Sequence, residues 1–116
     1  MSLDVVGTLR YPSPRPDWLA QVQEEILEPD LPIVDPHHHI WVQDGQAYDL
    51  AALRSDVCGG HQVVATVLVQ AYHAYRTDGP EHLRCVGETE HIEQVVAAQG
   101  RPEPAPYLCA GIVGYA

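Results

Sequence analysis

Lysine, asparagine and phenylalanine are all missing from this chain of 116 residues, while alanine, valine and proline are plentiful. We read that skew as a codon bias of the source genome and attach no function to it. Positive charge is scarce: 6 Lys+Arg stand against 16 Asp+Glu, for a net charge of −10. Such a surface argues against partners made of nucleic acid and against anionic membrane surfaces. The carboxylates are scattered and not massed in a block, so the charge says little more. Only three cysteines occur, Cys58, Cys85 and Cys109, and none has the CxxC spacing of a zinc knuckle. An odd number in apolar surroundings reads as buried free thiols in a reducing cytoplasm. No apolar run nears the ~20 residues of a membrane span. The opening MSLDVVGTLRYPSPRP has neither a positive n-region nor an apolar h-region, so no secretory signal is visible. There is no GxSxG, and Ser13 and Ser55 fall in loop or helix-end contexts, which disfavours a serine or cysteine nucleophile. Neither GxGxxG nor a Walker pattern occurs, so nucleotide binding is unsupported.

What is present reads as one α/β domain with a modest core. Residues 1 to 30 form an extended proline-rich arm and then a helix, with Asp17 as N-cap, Trp18, Val22 and Ile26 at helical spacing, and Pro29 as the stop. LPIVD (31 to 35) is a short buried strand. Tyr48 to Val57 is a helix with Leu50, Leu53 and Val57 on one face, closed by Gly59-Gly60. The β-branched run HQVVATVLVQA (61 to 71) has the pattern of a strand covered on both faces. Asp78 and Glu81 resemble a capping box around Pro80. Glu88 to Gln99 is a helix with carboxylates in its first turn, Ile92, Val95, Val96 and Gln99 on one face and Gly100 after it. RPEPAP is a loop, and YLCAGIV (107 to 113) is the last strand. Alternating helices and apolar strands predict a three-stranded parallel sheet in sequence order with helices on one face. An uncovered third strand makes the fold read as interrupted, and its open apolar edge predicts self-association into a homo-oligomer or aggregate.

The chemistry lies in LPIVDPHHHIW, residues 31 to 41. Side chains alternate along a strand, so His37 and His39 share a face and His38 points the other way. Two imidazoles projecting together from a strand's end can reach one metal ion at ~2.0–2.1 Å. Asp35 falls on the same face by the same count, either as a ligand or as a carboxylate that orients one. Pro36 lacks an N–H, a loss tolerable at a strand end. A tag remnant would sit at a terminus, and clustered polar groups on a buried strand are too costly to be idle. His61, His73, His82 and His91 are isolated in sequence and read as surface residues.

Asp35-Pro36-His37-His38-His39 after an apolar strand resembles the D-x-H-x-H signature of the amidohydrolase superfamily. The longer DPHHHIW, with Trp41, is similar to the amidohydrolase-related branch, which includes sugar-lactone lactonases, dicarboxylate lactonases and non-oxidative decarboxylases. VLVQA (67 to 71) is similar to that branch's second strand, and Glu88-Thr89 to its "ET" helix start. The resemblance covers residues 17 to 116. It implies an incomplete (β/α)8 TIM barrel over residues 31 to 116, with its site at the C-terminal face of the strands. His37 and His39 carry over as metal ligands, with zinc or manganese as the divalent ion, and His38 matches no ligand position. Gln70 matches a position near the substrate pocket, and Asp35 and Trp41 are further candidates for facing substrate or supporting the ligands.

A complete relative is a metal-dependent hydrolase of lactones or amides whose further ligands and proton-moving aspartate lie on later strands. These positions have no counterpart among the 116 residues, so the general base is unassigned and the isolated chain is expected to bind Zn²⁺ weakly and hydrolyse nothing useful. Two other readings stand beside a lactonase-like hydrolase acting on a small molecule in the cytoplasm. One is a decarboxylase of the same branch; the other is a non-catalytic α/β remnant. Reading the DNA downstream of Ala116 separates a truncation or gene-model break from the remnant.

Overall fold

A computed structural model describes residues 14–43, 45–100 and 106–116. In chain order the elements of the described residues are α1 (Pro16–Leu19), β1 (Ile33–His38), β2 (Trp41–Gln43), β3 (Gln46–Tyr48), α2 (Leu50–Val57), β4 (Val63–Val69), a 3-10 turn (Glu81–Leu83), α3 (Val86–Gln99) and β5 (Tyr107–Val113). β1, β4 and β5 form one parallel sheet in that order. This is the sheet expected from the alternation of apolar runs. β2 and β3 form a separate antiparallel hairpin, pairing Trp41 with Tyr48 and Gln43 with Gln46.

The core lies on one side of the sheet. Leu50, Leu53 and Val57 of α2, Ile92 of α3, Leu68 of β4, and Leu108 and Cys109 of β5 bury together with Ile40. Leu53, Leu68 and Ile92 are almost wholly enclosed. Burial of each such side chain contributes about 1.5–3 kcal/mol. Along β4 the burial alternates: Thr66 and Leu68 are enclosed, whereas Val63, Ala65, Val67 and Val69 are half-buried. The expectation of a strand covered on both faces therefore fails. Both long helices pack into the same cluster as Leu68, so the second face of β4 lacks a helical cover among the described residues.

Other expectations are also corrected. Residues 1–13 of the expected arm, which runs to residue 16, lie outside the described residues. The helix expected from Asp17 to Pro29 is one turn, with Arg15 and not Asp17 at its N-cap. Trp18, Leu19 and Val22 remain exposed. Helix nucleation is unfavourable, and an apolar stripe sustains a helix only when it has a surface to pack on. Ile26 is half-buried, its Cδ1 lying where a side chain at Gly60 would stand. α2 starts at Leu50, because Asp49 caps it by accepting the Ala52 amide at 2.9 Å. Tyr48 belongs to β3, where its hydroxyl donates to Asp56 of α2 at 2.5 Å. The Asp78–Glu81 capping box is not formed: Pro80 precedes the 3-10 turn without a side-chain cap. α3 starts at Val86, two residues earlier than expected, and Gln99 is exposed, not packed. Of the three free thiols only Cys109 is buried; Cys58 is exposed and Cys85 half-buried. Most of the RPEPAP loop lies outside the described residues.

Gly87 explains how the loop after β4 closes on α3. A Cβ there would stand 2.6 Å from both the Ala74 carbonyl oxygen and the Arg76 amide nitrogen. Only glycine lets the two backbones approach so closely.

Candidate functional site

The C-terminal end of β1 carries the three histidines. His37 and His39 are exposed and His38 is buried. The His37 and His39 ring centroids lie 5.0 Å apart with planes at 86°. Two imidazoles on one tetrahedral ion, bonded at ~2.0–2.1 Å, stand about 5 Å apart between ring centres. His39 also has its orientation fixed: Nδ1 donates to the Val69 carbonyl at 2.8 Å. The ring proton is then on Nδ1, and Nε2 carries the lone pair. A metal-ligating histidine is commonly held in this way, its second nitrogen donating to a backbone carbonyl. The residues therefore fit a borderline divalent ion as two of its ligands.

Asp35 does not complete a set of three. Its Oδ1 accepts the backbone amide of His37 at 3.1 Å. The strand register explains its placement. Asp35 pairs with Thr66 and His38 with Leu68, so three steps on β1 match two on β4. One extra residue is accommodated between them, a β-bulge. Asp35 and His38 thus stand in register with the two enclosed residues of β4. Among the described residues no group of three His, Cys, Asp or Glu side chains is placed to hold a metal ion.

His38 is built into the core. Its Nε2 lies 2.8 Å from Thr66 Oγ1, which also accepts the Cys109 amide at 2.8 Å. With one lone pair on that amide, the hydroxyl proton is free to go to His38 Nε2. The ring proton of His38 is then on Nδ1, which is buried without a partner. Burial lowers the His38 pKa and so favours the neutral ring. Cys109 Sγ lies 4.0 Å from His38 Nε2, and burial pushes that thiol up to about 11. A neutral histidine beside a neutral thiol is a structural cluster, not an activated nucleophile.

Gln70 stands at the same end of the sheet, directly after the Val69 carbonyl that holds His39. Its backbone amide donates to Val113 at 2.9 Å. Its side-chain oxygen accepts the Tyr72 amide at 3.2 Å and the Tyr75 hydroxyl at 3.3 Å, so it braces the following loop. Trp41 opens the hairpin and is half-buried, paired with Tyr48. The structure brings His37, His39 and Gln70 to one end of the sheet and places Trp41 on a neighbouring element.

Two arrangements were missed in the sequence. Glu88 is buried, with Oε1 accepting the Ala71 amide at 2.8 Å and Oε2 unpartnered. It fixes the chain leaving β4 to the first turn of α3. Thr66 carries the other network, and as the lone polar residue in VVATVLV it was the available signal. Comparisons with known protein families, curated proteins and solved structures return no match to this chain.

Proposed function

We propose that these residues supply the first strands of a metal-dependent hydrolase of the amidohydrolase-related type, lactonase-like, built on a (β/α)8 barrel. The observation that supports this reading is the His37–His39 pair, 5.0 Å apart at the C-terminal end of the first strand of a parallel sheet. Barrel enzymes build their sites at that end of their strands. When bound, a divalent zinc or manganese ion would supply Lewis-acid activation of water at that end of the sheet.

The chain's own residues have distinct roles in this reading. His37 and His39 hold the ion. The Val69 carbonyl fixes the His39 tautomer so that Nε2 is the ligating atom. Asp35 orders the backbone entering the pair through the His37 amide. Gln70 positions the loop that would border a small-molecule substrate. His38 anchors the strand in the core. Further ligands and the proton-moving carboxylate would come from strands beyond these three.

The test is calorimetric titration with Zn²⁺ of the wild-type chain, His37→Ala and His39→Ala, with a panel of lactones and amides. Each substitution should remove one equivalent of bound Zn²⁺, and the chain alone should show no useful turnover. Zn²⁺ binding indifferent to both substitutions would end the reading.

A further inference from the structure

A second histidine pair lies away from the first, on the loop after β4 and on α3. His73 and His91 are eighteen positions apart in sequence, yet their ring centroids are 5.2 Å apart with planes at 78°. Both side chains are half-buried. Neither imidazole is hydrogen-bonded to a described protein group. The separation again matches two imidazoles sharing one tetrahedral ion, about 5 Å between ring centres.

The backbone around His73 is unusual. Tyr72 and Ala74, its two neighbours, both adopt left-handed conformations at φ 57°. Neither is glycine, so each position is strained, of order 1 kcal/mol or more, and persists only because its surroundings impose it. Those surroundings are specific. The loop lies on Gly87 at a distance no other residue allows. Arg76 pairs with Glu90 of α3, its Nε donating to Oε2 at 2.9 Å, and the Arg76 amide donates to the Arg84 carbonyl at 2.9 Å. The result is a loop clamped to the helix with His73 presented to His91.

We propose that His73 and His91 form a second metal-binding pair, selective for divalent ions that favour imidazole, namely zinc, nickel or copper. Among the described residues no third His, Cys, Asp or Glu joins them, so water completes the coordination. Two neutral nitrogen donors suit these ions and do not suit magnesium or calcium, which require oxygen. The ion ties the loop to the helix. It binds the folded chain, where the two imidazoles are held together, more tightly than the unfolded chain, and therefore stabilises the fold by mass action. The proposal is independent of the function assigned to His37 and His39.

The experiment uses the full chain carrying His37→Gln and His39→Gln, which removes the first pair. Zn²⁺ is titrated by calorimetry and by thermal denaturation, with Mg²⁺ as control. The expected result is one equivalent of Zn²⁺ bound and a Tm that rises with Zn²⁺ and not with Mg²⁺. Adding His73→Gln or His91→Gln should each weaken binding at least as much as losing an outer partner does, ~10-fold, and remove the Tm rise. Absence of stoichiometric binding, or binding that survives either further substitution, overturns the proposal. A second readout covers the case in which a glutamine variant fails to fold. Cu²⁺ bound to the parent double variant must show hyperfine coupling to two imidazole nitrogens in electron paramagnetic resonance; coupling to one or none overturns it.

Discussion

Replacing Thr66 by valine keeps the volume and removes one hydroxyl, and it should be among the most damaging changes the chain can suffer. Thr66 has no solvent exposure. Its oxygen accepts the Cys109 amide at 2.8 Å and lies 2.8 Å from His38 Nε2. Valine would leave both groups buried without that partner, and His38 Nδ1 already lacks one. An unsatisfied buried polar group costs about 1–3 kcal/mol. Two of them, less roughly 0.8 kcal/mol for the extra buried methyl, give a net loss of about 1–5 kcal/mol. Total stabilities are about 5–15 kcal/mol, so this is a large fraction. With a urea m-value near ~2 kcal/mol/M, the midpoint should fall by roughly 0.5–2.5 M. Thr66→Ser, which keeps the hydroxyl, should lose only about 1 kcal/mol through its missing methyl. The cycle with His38→Leu separates the two bonds. If the hydroxyl donates to His38, the double variant should lose at least ~1 kcal/mol less than the sum of the single losses. A Thr66→Val midpoint within error of wild type, or strict additivity in the cycle, would refute the network.

Two further outcomes follow from particular contacts. Gly87→Ala should lower Tm by several degrees, since its Cβ would meet two backbone atoms at 2.6 Å that cannot rotate away; an unchanged melting curve would mean that the loop is not seated there. Cys58 should react quickly with a thiol reagent at pH 8 and Cys109 only upon unfolding, because burial holds the Cys109 thiol at about 11 against an ordinary value of 9.0. The same shift makes the folded state the better proton binder between those values. Stability should therefore fall as pH rises from 9 towards 11, with a shallower fall in Cys109→Ala, and equal slopes would contradict it.

Sequence pattern served best where one physical requirement dominated. The β-branched run of β4 and the apolar YLCAGIV admit little but buried strands, and both strands formed within two residues of expectation. It served worst where a pattern needed a tertiary partner. Trp18, Val22 and Ile26 have helical spacing, but only Ile26 finds a surface, and the helix stops after one turn. The hairpin was readable in principle: Asp44-Gly45 between two short strands is a strong turn signal. Strands of three residues gave too little alternation to draw attention to it. His73 and His91 lie on a loop and a helix, so their meeting depends on the loop path that Gly87 permits and has no local signature.

The arrangement of the three histidines turns on the bulge at Pro36. Strict alternation from Asp35 would place Asp35, His37 and His39 on the Thr66 side, in the core, and turn His38 outward. Pro36 has no N–H to give to the ladder, and the register slips between Asp35 and His38. The inserted residue inverts the parity beyond it. His38 enters the core against Thr66, while His37 and His39 emerge together. The roles of adjacent residues should then cross. His38→Ala should cost about 2–4 kcal/mol in urea unfolding, through an unpaired Thr66 hydroxyl and a cavity, and leave Zn²⁺ stoichiometry intact in the folded fraction. His37→Ala, at an exposed site, should change stability by no more than about 0.5 kcal/mol and remove one Zn²⁺ equivalent. If the two substitutions shift stability and metal binding in the same proportion, the bulge does not divide the histidines, and the assignment of the outward pair to the metal fails with it.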